Sequence, residues 1–305
     1  MKRADLGIGL YVLSAIIFLI IPMPSFLLDF LLAINMSVAL IILFNTIYAA
    51  DTLQMSSFPT VLLLTTIFRI GLNASSTRLI LTTGDPGQVV LTFGQFVGQD
   101  DPVVGVIIFI IILIVQFMVI NKGSERVAEV TARFTLDAMP GKQMAIDADL
   151  SSGLIDEATA RVRRSKIQRE ADFFGAMDGA TKFVKGDAIM SLVVTFINLV
   201  GGIVMGFINH VGSFQEIVQI YSTATVGDGL MSQIPALLIS VATGMIVTRS
   251  ASESNLNEDV VRQLSSQPMV LILSALAMAS LCFIGFPALQ VLTMSAVLIA
   301  LGVIL

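Results

Sequence analysis

Tryptophan does not occur in the 305 residues, cysteine and histidine occur once each, and only 13% of the chain is charged. A lone cysteine, Cys282, cannot close a disulfide within the chain. With His210 as the single histidine, zinc centres built from several His or Cys are excluded by count, and His-based catalytic triads are disfavoured. No Gly-x-x-x-x-Gly-Lys-Ser/Thr loop, His-Glu-x-x-His or Gly-x-Ser-x-Gly is present, so the expectation is a chain that is not an enzyme and needs no cofactor or metal. A basic stripe is also lacking, which argues against a nucleic-acid partner. Soluble domains carry about a quarter charged residues; about half that share leaves too little polar surface to cover a water-facing molecule.

What is abundant is apolar. Hydrophobic residues make up 55% of the chain and its mean hydropathy is +0.90. A bilayer core needs about 20 apolar residues in a helix. Eight segments approach that length: 6–23, 26–50, 58–81, 103–120, 188–208, 230–247, 269–286 and 288–305. The expected fold is an all-α polytopic membrane protein of about eight transmembrane helices. The first two and last two segments are separated by short proline-containing turns and read as hairpins. The third is interrupted by Arg69, Asn73 and Arg78 and reads as a tilted, broken or partly buried helix. Lys2 and Arg3 precede an apolar run, but Pro22-Met-Pro24 and a second run follow without a small-x-small cleavage site, so the first span is expected to be retained.

Basic residues give the orientation. Of 17, eleven lie between Lys122 and Lys185, with Lys2, Arg3, Arg249 and Arg262 on the same side of an eight-span chain. The intervening loops around Pro24, 82–102, 209–229 and Gly285–Pro287 hold none. Both termini are therefore expected in the cytoplasm. The final apolar run (297–305) has no polar stop, so the sequence is expected to be part of a longer chain.

Residues 122–186 are the one long polar stretch, with 11 basic and 10 acidic residues. Mixed signs suit a folded subdomain better than a lipid-binding tail. The expected organisation is spans one to four in 1–121, a small cytoplasmic subdomain in 122–186 and spans five to eight in 187–305. Within the subdomain, Asp156–Glu170 reads as a helix with acids early and Arg163 and Arg164 later. Met139-Pro-Gly141 reads as a turn.

Residues 126–149, running from Arg126 through Arg133-Phe134, Asp137, Pro140-Gly141-Lys142-Gln143 and Asp147 to Asp149, resemble the signature of the FHIPEP family, the FlhA-type export-gate proteins of flagella and injectisomes. Further similar stretches follow in order: Phe58-Pro59, Phe68-Arg69 and Ser76-Thr-Arg78 before the signature, then Ala171–Gly175, Met177–Gly179, Lys182–Ile189, Gly227–Gly229, Gln233–Leu237 and Ile246–Arg249. Lys122–Arg126 is more injectisome-like and Lys166–Gly175 more flagellar-like; the flagellar branch is preferred. The resemblance implies a non-enzymatic gate in the bacterial inner membrane that couples the proton motive force to export of unfolded proteins. It implies a ring of identical copies, nine in the family, set among other membrane subunits of the apparatus. It also implies a large C-terminal cytoplasmic domain, not included in these residues, that docks chaperones and substrates.

An ionisable group at membrane depth costs a few kcal/mol or more unless paired, hydrated or turned into protein. Asp29, Arg69, Arg78, Asp187 and Asp228 are the informative ones. Asp228 lies in Gly227-Asp-Gly229, which reads as an irregular turn before span six. Residue types alone favour simple ion pairing with Arg69, Arg78 or Lys182. The resemblance implies functional sensitivity at Lys182, Asp187 and Asp228, and more weakly at Arg78, with Arg69 also fitting the pattern. Gln233 and Pro235 would bend span six or line a path, and Phe214, Ile217, Val218 and Tyr221 suit an interfacial amphipathic helix or a loop. A free-standing channel or secondary transporter is the competing reading, against which stand the lack of an internal repeat and the long polar insert.

Overall fold

A computed structural model describes residues 3–49, 51–98, 101–249, 268–280, 282 and 288–304. Lys2, Arg262 and the 283–287 turn lie outside the described residues. Every regular element among them is helical. They fall into two compact units, 1–47 with 52–250, and 48–51 with 251–305.

The larger unit opens with α1 (Arg3–Ile20) and α2 (Ser25–Tyr48), separated where Pro22 and Pro24 remove two backbone donors. A short 3-10 turn (Thr52–Met55) leads to α3 (Phe58–Thr83), with proline in its first turn. Gly84 ends α3 in a left-handed conformation (φ 70°), its N–H returning to the Ile80 carbonyl at 3.0 Å. Next come α4 (Gln88–Gly98) and α5 (Pro102–Val115), the latter capped by the Asp101 carboxylate accepting from Val103 N at 2.9 Å. A π-helical turn (Gln116–Asn121) carries α5 without a break into α6 (Lys122–Ser151). Asp156 caps α7 (Glu157–Ile208), and Ser213 with Glu216 forms a capping box for α8 (Phe214–Thr248). The smaller unit contains α9 (Pro268–Ser280) and α10 (Ala288–Ile304), an antiparallel pair in which Gly302 packs on Leu271 and Ile272.

Four expectations change. Five helices or helix pairs are long and apolar enough to cross a membrane, against about eight expected; the first, seventh and eighth segments form shorter apolar helices within the described residues. Met139-Pro-Gly141 is not a turn: α6 runs straight through Pro140. The proline leaves the Leu136 carbonyl without its helical donor, a loss tolerated because that stretch is exposed and helix continues on both flanks. The 82–102 and 209–229 loops are largely helical, supplying α4 and the first turns of α8. Gly227-Asp-Gly229 is regular helix in the interior of α8. Its glycines serve close approach instead: a Cβ on Gly227 would strike the Val90 carbonyl of α4, and one on Gly229 the Phe109 ring of α5.

Helix α8 is the axis of this unit. Its most apolar stretch is 67% buried, against 17% for that of α5 and α6. Leu28, Leu32, Phe68, Leu72, Val90 and Met231 join α2, α3, α4 and α8, while Ile80, Ile217 and Tyr221 close the end where α8 begins. The apolar residues at 214–221 therefore open this core helix with two faces: Ile217 and Tyr221 are each 1% exposed, Val218 is half-buried and Phe214 faces outward. The outward faces of α2, α5 and the second half of α7 carry exposed large side chains such as Phe30, Ile41, Ile107, Ile111 and Phe196. Such a continuous apolar surface suits lipid.

Asp29 has a definite role in this packing. Its carboxylate accepts from the backbone N–H groups of Gln88 (2.9 Å) and Val89 (3.0 Å), satisfying the first turn of α4 from another helix. Asp29→Ala is expected to lower stability by about 0.5–2 kcal/mol, read as a shifted unfolding transition in detergent, with Asp29→Asn losing less. An unchanged transition for Asp29→Ala would show that α4 does not depend on this cap.

Candidate functional site

Polar residues recur inside the apolar halves of α7 and α8, on faces these helices turn toward each other and toward α3. On α7 they are Asp187, Ser191 and Asn198; on α8, Asp228, Ser232 and Gln233. The α7 spacing of four and then seven residues holds one helical face. All six are buried, at 0–5% exposure, although they lie in stretches apolar enough to span a bilayer.

At one end of this seam Arg69 of α3 donates through Nε to Asp187 Oδ2 at 2.7 Å, and its Nη2 contacts the same oxygen. Both side chains are nearly inaccessible (2% and 3%). The pair is incomplete: Arg69 Nη1 and Asp187 Oδ1 have no hydrogen-bond partner. At the other end Asn198 Nδ2 donates to Asp228 Oδ2 at 3.0 Å, and Ser76 of α3 lies beside that carboxylate. The groups facing Asp228 are thus neutral, whereas Asp187 faces a guanidinium. Between the two carboxylates the Ser191 and Ser232 hydroxyls meet at 3.1 Å. Gln233 Nε2 donates to Ser191 Oγ at 3.0 Å, and Gln116 Nε2, from the π-helical turn, donates to the Gln233 carbonyl at 2.9 Å. One step further along, Ser240 donates to Asn121 Oδ1 at 2.9 Å. A π-helical turn re-aims side chains relative to a regular helix, and here its two end residues, Gln116 and Asn121, both reach α8.

The remaining candidates stand elsewhere. Arg78 donates to the Ile20 (3.0 Å) and Leu19 (3.2 Å) carbonyls, closing the C-terminus of α1. Arg249 does the same for α2, contacting the Thr46 and Ile47 carbonyls at 3.4 Å. Lys182 is exposed and pairs with Asp178 one turn back at 2.8 Å; it does not join Asp187.

The signature residues lie on the hairpin of α6 and α7. Lys142 pairs with Glu170 (3.0 Å), Asp149 with Arg163 (3.1 Å) and Asp147 with Arg164. Pairs this exposed are worth about 0–1 kcal/mol each, so they align two helices more than they stabilise them. Arg133 pairs with Glu129 within α6 (3.3 Å), Phe134 is 69% exposed, and Asp137, Pro140 and Gly141 face solvent, with Gln143 half-buried. Asp156 caps α7 by accepting from Thr159 N at 2.8 Å, and hydrogen bonds from Thr159 hold its carboxyl below the ordinary value.

Charge in an apolar run singled out Arg69, Asp187 and Asp228. Ser191, Asn198, Ser232, Gln116 and Asn121 were passed over because neutral polar residues are common in membrane helices. Their helical spacing from Asp187 and Asp228 was the signal available.

Fold and seam together define an all-α membrane protein with a polar interior between packed helices. A profile of the FHIPEP family matches residues 15–305, and the chain belongs to that family. It is 54% identical over 275 residues to flagellar biosynthesis protein FlhA of Bacillus subtilis, covering 90% of this chain and 41% of that protein. It is 48% identical over 289 residues to low calcium response locus protein D of Yersinia pestis, with 94% of this chain and 41% of that one covered. Similarity to protein MxiA of Shigella flexneri is 49% over 287 residues, covering 93% and 42%. The chain spans about two-fifths of the length of these curated relatives. No solved structure matches it.

Proposed function

We propose that this chain is the membrane part of an export-gate subunit of a flagellar type III secretion apparatus. It sits in the bacterial inner membrane with both termini in the cytoplasm and works as a ring of identical copies, nine as in the family, among the other membrane subunits of the apparatus. Residues 122–186 form its cytoplasmic subdomain between the two groups of spans. Exported proteins and their chaperones engage the family's large C-terminal domain. The observation that carries this reading is the family match over 15–305, with relatives about half identical that include a named flagellar biosynthesis protein.

The seam supplies the means of coupling to the proton motive force. Asp187 and Asp228 bind and release protons, and Arg69 serves as the counter-ion of Asp187. Lys182 acts at the mouth of the seam, and Arg78 holds α1 against α3. A carboxylate suits this task because burial favours its neutral form while a nearby cation favours its charged one.

The test is a graft. Residues 15–305 replace the corresponding segment of FlhA in Bacillus subtilis cells lacking the native protein, and secreted flagellar protein and swimming are measured. Restored export is expected, with loss on Asp187→Asn. A graft that inserts and accumulates normally yet exports nothing overturns the flagellar assignment. Restoration instead in the matching graft with Shigella flexneri MxiA would place the chain on the injectisome side.

A further inference from the structure

The two carboxylates are separated along α7 by the eleven residues from Asp187 to Asn198, a rise of about 16 Å. No proton crosses that distance directly. Among the described residues, the hydrogen bonds between α7 and α8 inside this interval converge on Ser191, whose hydroxyl meets that of Ser232 and accepts from Gln233 Nε2. Only the Ser191–Ser232 contact joins two hydroxyls, each able to take up and release a proton. We propose that this pair is the relay between Asp187 and Asp228, and that Asn198, Gln233 and Gln116 are its positioning residues. The inference rests on the reading of Asp187 and Asp228 as proton-handling groups.

Spacing supports it. Ser191 is one helical turn from Asp187, and Ser232 one turn from Asp228, so each gap is about 5–6 Å between Cβ atoms. One water making two hydrogen bonds of about 2.8 Å spans such a gap. A buried water needs polar partners otherwise unsatisfied, and both gaps offer them. Asp187 Oδ1 and Arg69 Nη1 stand free at one end, and Asn198 Oδ1 at the other.

Orientation is set from outside the pair. A hydroxyl has one proton to give and two lone pairs to receive. Gln233 Nε2 occupies a lone pair of Ser191, with Gln116 fixing the backbone of Gln233 in turn, and Ser232 donates its proton to the Gly229 carbonyl at 2.9 Å, so Ser191 is the donor of the pair. In the relay a proton from the Asp187 side adds to the remaining lone pair of Ser191 as the Ser191 proton passes to Ser232, whose own proton turns from the Gly229 carbonyl and leaves toward Asp228. Each serine ends neutral, one proton has moved, and both hydroxyls rotate to reset.

The experiment uses the purified chain in liposomes, with proton entry followed by a trapped pH-sensitive dye under an imposed potential, and with export by the grafted protein measured in parallel. Ser191→Ala with Ser232→Ala is expected to lower flux and export by tenfold or more at unchanged insertion. Ser191→Thr, which keeps a hydroxyl, is expected to restore both in part. The ratio of flux in H2O to that in D2O should fall in the double alanine variant, a change that a packing defect does not produce. If Asp187→Asn and Asp228→Asn abolish flux while the double alanine variant conducts normally, the relay is wrong and the coupling reading stands. A parent chain that passes no protons overturns both.

Discussion

Arg69→Leu is expected to destabilise the larger helical unit by about 3–5 kcal/mol, because it strands the Asp187 carboxylate in a site from which water is excluded. Asp187→Leu should cost a similar amount by stranding the guanidinium. The double variant is the informative one. Removing both charges eliminates two desolvation penalties together with the attraction that offset them, so Arg69→Leu with Asp187→Leu should recover most of the loss. Reversible unfolding in mixed detergent, monitored by circular dichroism, gives the three values and hence the coupling energy. Function should divide differently. A chain stabilised by two leucines has no carboxylate at the end of the seam, so export by the grafted protein should stay lost although the fold is restored. Recovery of export in the double variant would reduce the pair to a packing element, and a single variant costing under about 1 kcal/mol would contradict its burial.

Gly227→Ala is expected to be the most damaging of the glycine substitutions in the larger unit. The added methyl would overlap the Val90 carbonyl, a backbone atom that cannot rotate aside. The segment carrying it is held from two directions, by Asp29 on the first turn of α4 and by Gly94 packed on the Thr223 backbone of α8. Overpacking of this kind costs about 1–3 kcal/mol, more where the neighbour cannot yield. Gly175→Ala and Gly179→Ala give the contrast. Both sit in α7 with nothing within 4 Å of the added carbon, so they should stabilise the helix by about 0.5–1 kcal/mol through the lower conformational entropy of alanine. Thermal unfolding of the three variants side by side checks the sign of each. A tolerated Gly227→Ala would mean that α4 and α8 are not in the close register described.

Arg78 shows why the site was only partly readable in advance. As a type it matches Arg69: a guanidinium in the same apolar helix, nine residues on. Nine residues turn the helix through two and a half turns, so the two side chains leave on nearly opposite faces. One meets a carboxylate and the other the open carbonyls of α1. Asp29 and Asp187 diverge for the same reason, the first meeting backbone donors and the second a cation. Local pattern also misled at Pro140 and at Gly227-Asp-Gly229, where turn-forming residues sit inside regular helix because neighbouring turns and packed helices outweigh a local preference.

Composition and periodicity alone determined that the chain is helical, that most of its surface belongs in lipid, and that one polar segment interrupts the apolar ones, because the cost of exposing apolar area to water or charge to hydrocarbon does not depend on the partner. Which polar group answers which was decided only by the tertiary structure. Asp187 finds Arg69 across 118 residues, Asn198 finds Asp228 across 30, and Ser191 finds Ser232 across 41. Such pairings depend on the rotation and depth of each helix against its neighbours, and those are set jointly by side chains far apart in the chain.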